Sequence, residues 1–239
     1  MTVKPVRFES GAPSASLLPG CLLAFEGPNG IGKTAIIEEI VPKIRAYLKE
    51  RGLNRKVIVD QEPSVLVSNE IRTALDTDYA RAMYYFFKGR EEAHNKVVMP
   101  ALLTGDIVVK DRYYHSTCVF QGMYVPVDQL FSAMRDFILI PHKTLILDAP
   151  GEIIEDRLTK RAESQEPRNA VMDPFEGQNI TDHNNIRTVY SFFTGDLRGL
   201  FPDCEIVSVA GDLEHSVNNV WTAVLEVLDL WIDEIKSRN

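Results

Sequence analysis

Residues 21–34 read Cys-Leu-Leu-Ala-Phe-Glu-Gly-Pro-Asn-Gly-Ile-Gly-Lys-Thr, an apolar run ending in G-x-x-x-x-G-K-T with a helical pattern behind it. A buried strand, a glycine loop and a helix in that order form the phosphate-cradling P-loop. Gly27, Gly30 and Gly32 let the backbone turn its N–H groups inward around phosphate oxygens, with Asn29 and Ile31 completing the loop. Lys33 adds a point charge at the β- and γ-phosphates, and the Thr34 hydroxyl is placed to ligate Mg²⁺. The stretch predicts a nucleoside triphosphate site.

Working outward, short apolar runs alternate with helical patterns, the rhythm of a parallel sheet covered on both faces. Strands are expected at 21–26, 57–60, 107–110, 144–148 and 205–209. They predict an α/β fold: a three-layer sandwich with a five-stranded parallel sheet and helices on both faces. The helix after the P-loop places Ile36, Ile37, Ile40, Ile44 and Leu48 on one side, and Pro42 inside it predicts a kink. Helical pattern resumes over 68–75, 79–103, 127–137, 151–161 and 217–236. Between Ala162 and Thr181 the chain is polar, with Pro167, Pro174 and Gly177, and reads as a mobile loop. The expected organisation is a flexible tail over residues 1–20 and one domain over 21–239, with a small lid at about 157–182.

The chain has 239 residues, 45% hydrophobic and 25% charged, enough for one large domain with an ample core. Its formal net charge of −8 weighs against a nucleic acid polymer as partner. Cys21, Cys118 and Cys204 are odd in number and widely spaced, which suggests neither a disulfide framework nor a C-x-x-C zinc site. No apolar stretch is long enough for a membrane span, and the first 20 residues lack a signal-peptide core. A transit peptide would fit that segment's composition; an ordinary tail and a cytoplasmic protein are the simpler expectation.

Three further clusters carry chemistry. Val108–Ser116 reads as a strand that delivers Asp111 and Arg112 to its carboxyl end, where ligands of open α/β sheets bind. An arginine there offers a planar fork to a phosphate, although a simple Asp–Arg ion pair would look the same. Asp60-Gln61-Glu62-Pro63 ends the second strand and is followed by Arg72. Leu147-Asp148-Ala149-Pro150-Gly151-Glu152 precedes Arg157 and Arg161, four apart and so on one helix face, with Arg168 in the polar loop beyond. A guanine-reading N-K-x-D sequence is missing, since Asn95-Lys96-Val97-Val98 lacks the aspartate. That argues against a GTPase.

Taken together, from about Leu22 to the C-terminus, these clusters resemble the thymidylate kinase family of nucleoside monophosphate kinases. Phe25-Glu26-Gly27 through Thr34 looks like the family P-loop, and Glu62-Pro63 like its second-strand motif. Asp111-Arg112-Tyr113-x-x-Ser116 followed by Gln121 is similar to its D-R-x-x-x-S signature. The resemblance implies ATP with Mg²⁺ held through Thr34 and Asp111, and transfer of the γ-phosphoryl group to a pyrimidine deoxynucleoside monophosphate, dTMP first. It implies Lys33, Arg112, Arg157, Arg161 and Arg168 as the charges that act in transfer. Phe86 would stack on the base, Arg90 would hydrogen-bond a base carbonyl, and Arg72 and Arg112 would grip the acceptor phosphate. Glu62, Pro63, Ser116, Phe120 and Gln121 would line the nucleoside pocket. Family members form dimers, so a homodimer is implied as well.

The departures concern the substrate. Asn29 stands where the family has an acidic residue, Gly30 supplies no P-loop arginine, and Asp60-Gln61 replaces Thr-Arg. Asp173-Pro174-Phe175-Glu176 carries proline in place of the D-R-F-E arginine, and Phe120 stands in place of tyrosine. Two other readings stay open: a same-fold kinase for another or modified deoxynucleotide or a nucleoside, and a nucleotide-binding regulatory module.

Overall fold

The run Cys21–Glu26 is strand β1, and all six of its residues are buried. The reason lies in its two neighbours and two faces. Cys21, Leu23 and Phe25 pack into one apolar cluster, while Leu22 and Ala24 pack into another on the far side. Successive side chains of a strand alternate faces, so only a sheet covered twice demands an unbroken apolar run. The computed structural model describes residues 12–63, 70, 71, 74, 79–122, 124–164 and 180–238.

The other strands are β2 (Val57–Gln61), β3 (Ile107–Asp111), β4 (Lys143–Asp148) and β5 (Cys204–Ser208). All pair in parallel in the order β2-β3-β1-β4-β5. Each strand lies within one residue of its expected ends. The register puts Phe25 beside Asp111, Glu26 beside Ile146, and Gln61 beside Asp111. The P-loop and the Asp111-Arg112 cluster thus leave adjacent strands at one edge of the sheet.

Helices α1 (Lys33–Glu50), α6 (Gly151–Ser164) and α8 (Leu213–Ser237) pack on the Phe25 face. In α1 the expected stripe of Ile36, Ile37, Ile40, Ile44 and Leu48 is buried. The helix continues through Pro42, which lies on the exposed side, so the bond its imide nitrogen cannot make leaves the Glu38 carbonyl to water. Asp212 caps α8 by accepting from the His215 amide at 2.8 Å.

The opposite face is covered by α3 (Met99–Leu103), α4 (Tyr114–Gln121), α5 (Val127–Met134) and α7 (Ile180–Phe192). The long pattern expected over 79–103 is α2 (Tyr79–Ala93), a π-helical turn over His94–Val98, and then α3. Helices α4 and α7 are the ones the sequence pattern does not announce; α7, polar for most of its length, buries only His183 and Tyr190. The end of the expected tail runs along the domain: Ser14 bridges to Ile140, and the Trp231 indole donates to the Pro19 carbonyl at 3.2 Å. The helix expected at 68–75 and the middle of the expected lid, Arg168 and residues 173–176 included, lie mostly or wholly outside the described residues. Arg72 lies outside them as well.

Candidate active site

At the end of β1 the chain turns through Gly27 with φ 135°. A Cβ there would sit 2.5 Å from the Leu147 carbonyl oxygen of β4, so the turn has room only for glycine. Gly27→Ala is expected to lose about 1–3 kcal/mol or more of stability and to abolish nucleotide binding. Thermal unfolding and fluorescent-nucleotide titration check this, and an unchanged melting midpoint would refute the steric argument. Gly30 (φ 76°) is equally confined, with the Leu158 side chain of α6 2.6 Å from a notional Cβ.

Two cations meet on one P-loop atom. The Gly27 carbonyl accepts from Lys33 Nζ at 3.0 Å and from an Arg112 guanidinium nitrogen at 3.0 Å. Lys33 also donates to the Pro28 carbonyl at 2.9 Å. Arg112 is held in place by its backbone, which lies in the left-handed region at φ 68° and donates its N–H to Phe25 O. A bulky residue rarely occupies that region unless the surroundings impose it, and such residues cluster at functional sites. Its guanidinium further bonds the Asn29 side-chain oxygen and the Ser116 hydroxyl, and lies 5.7 Å from the centre of the Phe120 ring. Beside this pair the Thr34 hydroxyl donates to Asp111 Oδ2 at 3.0 Å. Oxygen donors of this kind suit a hard divalent cation.

Beneath Arg112 lies Glu26, fully buried at the last position of β1. Its carboxylate accepts from the backbone N–H groups of Tyr113 and Ser116, at 2.7 and 3.1 Å, and so caps the first turn of α4. It also accepts from the Ser116 hydroxyl at 2.6 Å and from the Tyr190 hydroxyl of α7 at 3.2 Å. Burial pushes the Glu26 carboxyl up, against the pull of Arg112, Ser116, Tyr113 and Lys33. The sequence reading gave neither Glu26 nor Tyr190 a role. The available signal for Glu26 was a charge closing an otherwise apolar strand; for Tyr190 there was none, because its helix was not foreseen.

The remaining expected residues divide. Arg90 is buried and faces Glu62: its Nε lies 3.0 Å and one terminal nitrogen 2.6 Å from Oε2, and the same nitrogen bonds Thr117 at 2.8 Å. Lys110 joins them from β3, 3.0 Å from Glu62 and in contact with Asp60. Burial pulls the Glu62 carboxyl up, but the charges of Arg90 and Lys110 outweigh it and hold it below the usual range. Phe86 is half-buried one turn before Arg90 on α2, and Pro63 follows Glu62 through a cis peptide. Gln121 and Ser116 are buried on α4. Arg157 is bound to backbone: it donates to Ile31 O at 2.8 Å, Val209 O at 2.8 Å and Gly211 O at 3.0 Å, tying the P-loop to the segment after β5. Arg161, one turn further along α6, is exposed. A second brace appears at the end of β4, where Arg187 of α7 grips Asp148 through two bonds of 2.6 and 2.9 Å.

Comparison with known proteins agrees with this architecture. The family model described as thymidylate kinase matches residues 25–193. A thymidylate kinase of Pediococcus pentosaceus is 27% identical over 223 residues, covering 88% of this chain and 97% of its own. One from Bradyrhizobium diazoefficiens is also 27% identical, covering 87% and 90% respectively. The crystal structure of thymidylate kinase from Ehrlichia chaffeensis superposes with a TM-score of 0.56 at 18% identity, over 86% of this chain and 98% of that one.

Proposed function

The chain belongs to the thymidylate kinase family, and from that premise we infer that it transfers the γ-phosphoryl group of ATP to the 5′-phosphate of a pyrimidine deoxynucleotide, dTMP first. It is an ATP-dependent nucleoside monophosphate kinase. The observation that carries the reading is the meeting of Lys33 and Arg112 on the Gly27 carbonyl, with Thr34 and Asp111 alongside. Two cations, one at the start of α1 and one just past the end of β3, aim at one point, which is what two approaching polyanions require.

The acceptor monoester has its second pKa near 6, so it arrives mostly dianionic at pH 7 and needs no general base. The barrier is electrostatic, and positioning plus charge neutralisation lower it. Lys33 exchanges its bonds to Gly27 and Pro28 for the bridging and γ-phosphate oxygens. Arg112, held by Asn29 and Ser116, faces the acceptor phosphate. Mg²⁺ accompanies ATP; the Thr34 hydroxyl and the Asp111 carboxylate would hold it, and it would neutralise β,γ-phosphate charge.

Arg157 supports the loop from the Ile31 side, and Arg161 and Arg168 are the lid charges of this proposal. Arg72 completes the grip on the acceptor phosphate. Phe86, Arg90, Glu62, Pro63, Ser116, Phe120 and Gln121 form the nucleoside side. We further take residues 21–239 as one kinase domain with a lid at about 157–182, placed in the cytoplasm and working as a homodimer. Among the described residues no helix is long and apolar enough to cross a membrane.

One observation favours a modified or different deoxynucleotide. The Asn29 side-chain oxygen is on Arg112, and Nε and one terminal nitrogen of Arg90 are on Glu62 and Thr117, so the base- and sugar-reading groups are partly engaged. A transfer screen of ATP against dTMP, dUMP, dCMP and purine monophosphates decides. The expected result is dTMP turned over at least tenfold faster than the others. Equal rates on purines would overturn the pyrimidine assignment.

A further inference from the structure

His115 is the second residue of α4, and its side chain is fully buried. Its ring stacks on Tyr114 with centroids 4.0 Å apart and is walled by Phe193 and Phe201 at 5.6 and 5.3 Å. Among the described residues neither ring nitrogen has a hydrogen-bond partner, and Asp203 Oδ1 nearby has none. A buried polar atom left unpaired is costly, so two on one ring call for an explanation.

The surroundings supply one. Nε2 faces Asp203 Oδ2 at 4.0 Å, and Cys204 Sγ completes a set of three donor atoms within 4.8 Å of one another. On the other side Nδ1 faces Glu26 Oε1 at 3.9 Å. An imidazole between a carboxylate and an oxygen–sulfur pair has the layout of a metal-binding histidine oriented from behind.

We propose that His115, Asp203 and Cys204 form an interior site for a divalent transition-metal ion of the zinc class, with Glu26 orienting the imidazole. The donor set of nitrogen, oxygen and sulfur selects a borderline-soft ion over Mg²⁺ or Ca²⁺. Ligands at zinc distances stand about 3–4 Å apart, so the widest pair of the cluster needs to close by about 1–2 Å. A neutral imidazole, a carboxylate and a thiolate sum to two negative charges, which a divalent ion cancels, so no net charge is left buried. Three protein ligands leave a fourth position for water.

The Cys204 thiol gives up its proton to solvent as the metal–sulfur bond forms. The site stands apart from the nucleotide cleft and does not depend on the kinase reading. Glu26 joins the two, because the carboxylate behind His115 also holds Ser116 and Tyr190 beside Arg112.

Chelator-stripped full-length protein titrated with Co²⁺ tests this. The expected result is a saturating thiolate-to-cobalt charge-transfer absorption at a single equivalent, removed by excess Zn²⁺. Cys204→Ser should lose the band, and Asp203→Asn should weaken it, both with unchanged far-UV circular dichroism. Cys21→Ala, on the other face of the sheet, should keep it. Zn²⁺ should raise the melting midpoint of the unaltered protein but not of Cys204→Ser. The oxygen ligands of the nucleotide site give no thiolate band, so they cannot mimic the signal. No charge-transfer band, or one that survives Cys204→Ser, would overturn the proposal and leave a buried water as the partner of His115.

Discussion

Lys33→Ala is expected to lower turnover about 10³-fold while leaving the protein folded. Lys33 Nζ donates to two P-loop carbonyls, Gly27 O and Pro28 O. Removing it leaves Gly27 O still bonded to Arg112, so the loop keeps a tether and the melting midpoint should move by only a few degrees. The loss falls on the reaction, because charge on the transferring group builds at the transition state and a preorganised cation acts most strongly there. kcat should therefore fall far more than the KM for ATP rises. Arg112→Ala should cost a similar factor on the acceptor side. Since both side chains converge on one carbonyl, the double variant should lose less than the product of the two single losses. Steady-state rates of the three variants, with circular dichroism to confirm folding, check this. Unaltered turnover in either single variant would remove that residue from the transfer machinery.

The physics of each element explains how far its sequence reported it. Strand β1 was legible to the residue, because a run buried on both faces admits no polar interruption until Glu26. The P-loop was legible because Gly27, Gly30 and Gly32 occupy left-handed or sterically closed backbone positions that other residues rarely adopt. Helix α7 was not legible: it touches the core through few residues, so its sequence carries almost no apolar period. Arg90 shows a different limit. Its spacing from Phe86 puts both on one side of α2, but its partners Glu62 and Thr117 lie 28 and 27 residues away in the chain. Local spacing fixes a direction on a helix and says nothing of what arrives there from another strand. The clue was Lys110, a charge within the fully buried β3, since a buried charge requires a counter-charge from elsewhere. Arg157 repeats the point, because the carbonyls it binds belong to the P-loop and to the segment after β5.

That buried network sets the largest expected effect on stability. Glu62→Ala should destabilise the fold by about 3–5 kcal/mol, because it strands Arg90 and Lys110, both nearly inaccessible to solvent, around a lost carboxylate. Asp60 remains as a partner for Lys110, so the greater part of the cost falls on Arg90. Replacing Arg90 together with Glu62, as Glu62→Gln with Arg90→Met, should recover much of the loss, since an apolar side chain carries no desolvation cost of its own. The same network predicts the acid response. Glu62 titrates below its unfolded value, so its contribution is complete above the ordinary glutamate range near 4.3 and disappears as pH falls through the lower folded value. In denaturant titrations at pH 7 and at about pH 3, the gap between unaltered protein and Glu62→Gln should narrow in acid, because the unfolded chain then takes up a proton that folded Glu62 resists. A gap that stays constant with pH would show that Glu62 contributes through packing alone, and a loss at pH 7 near zero would show that water enters to solvate Arg90.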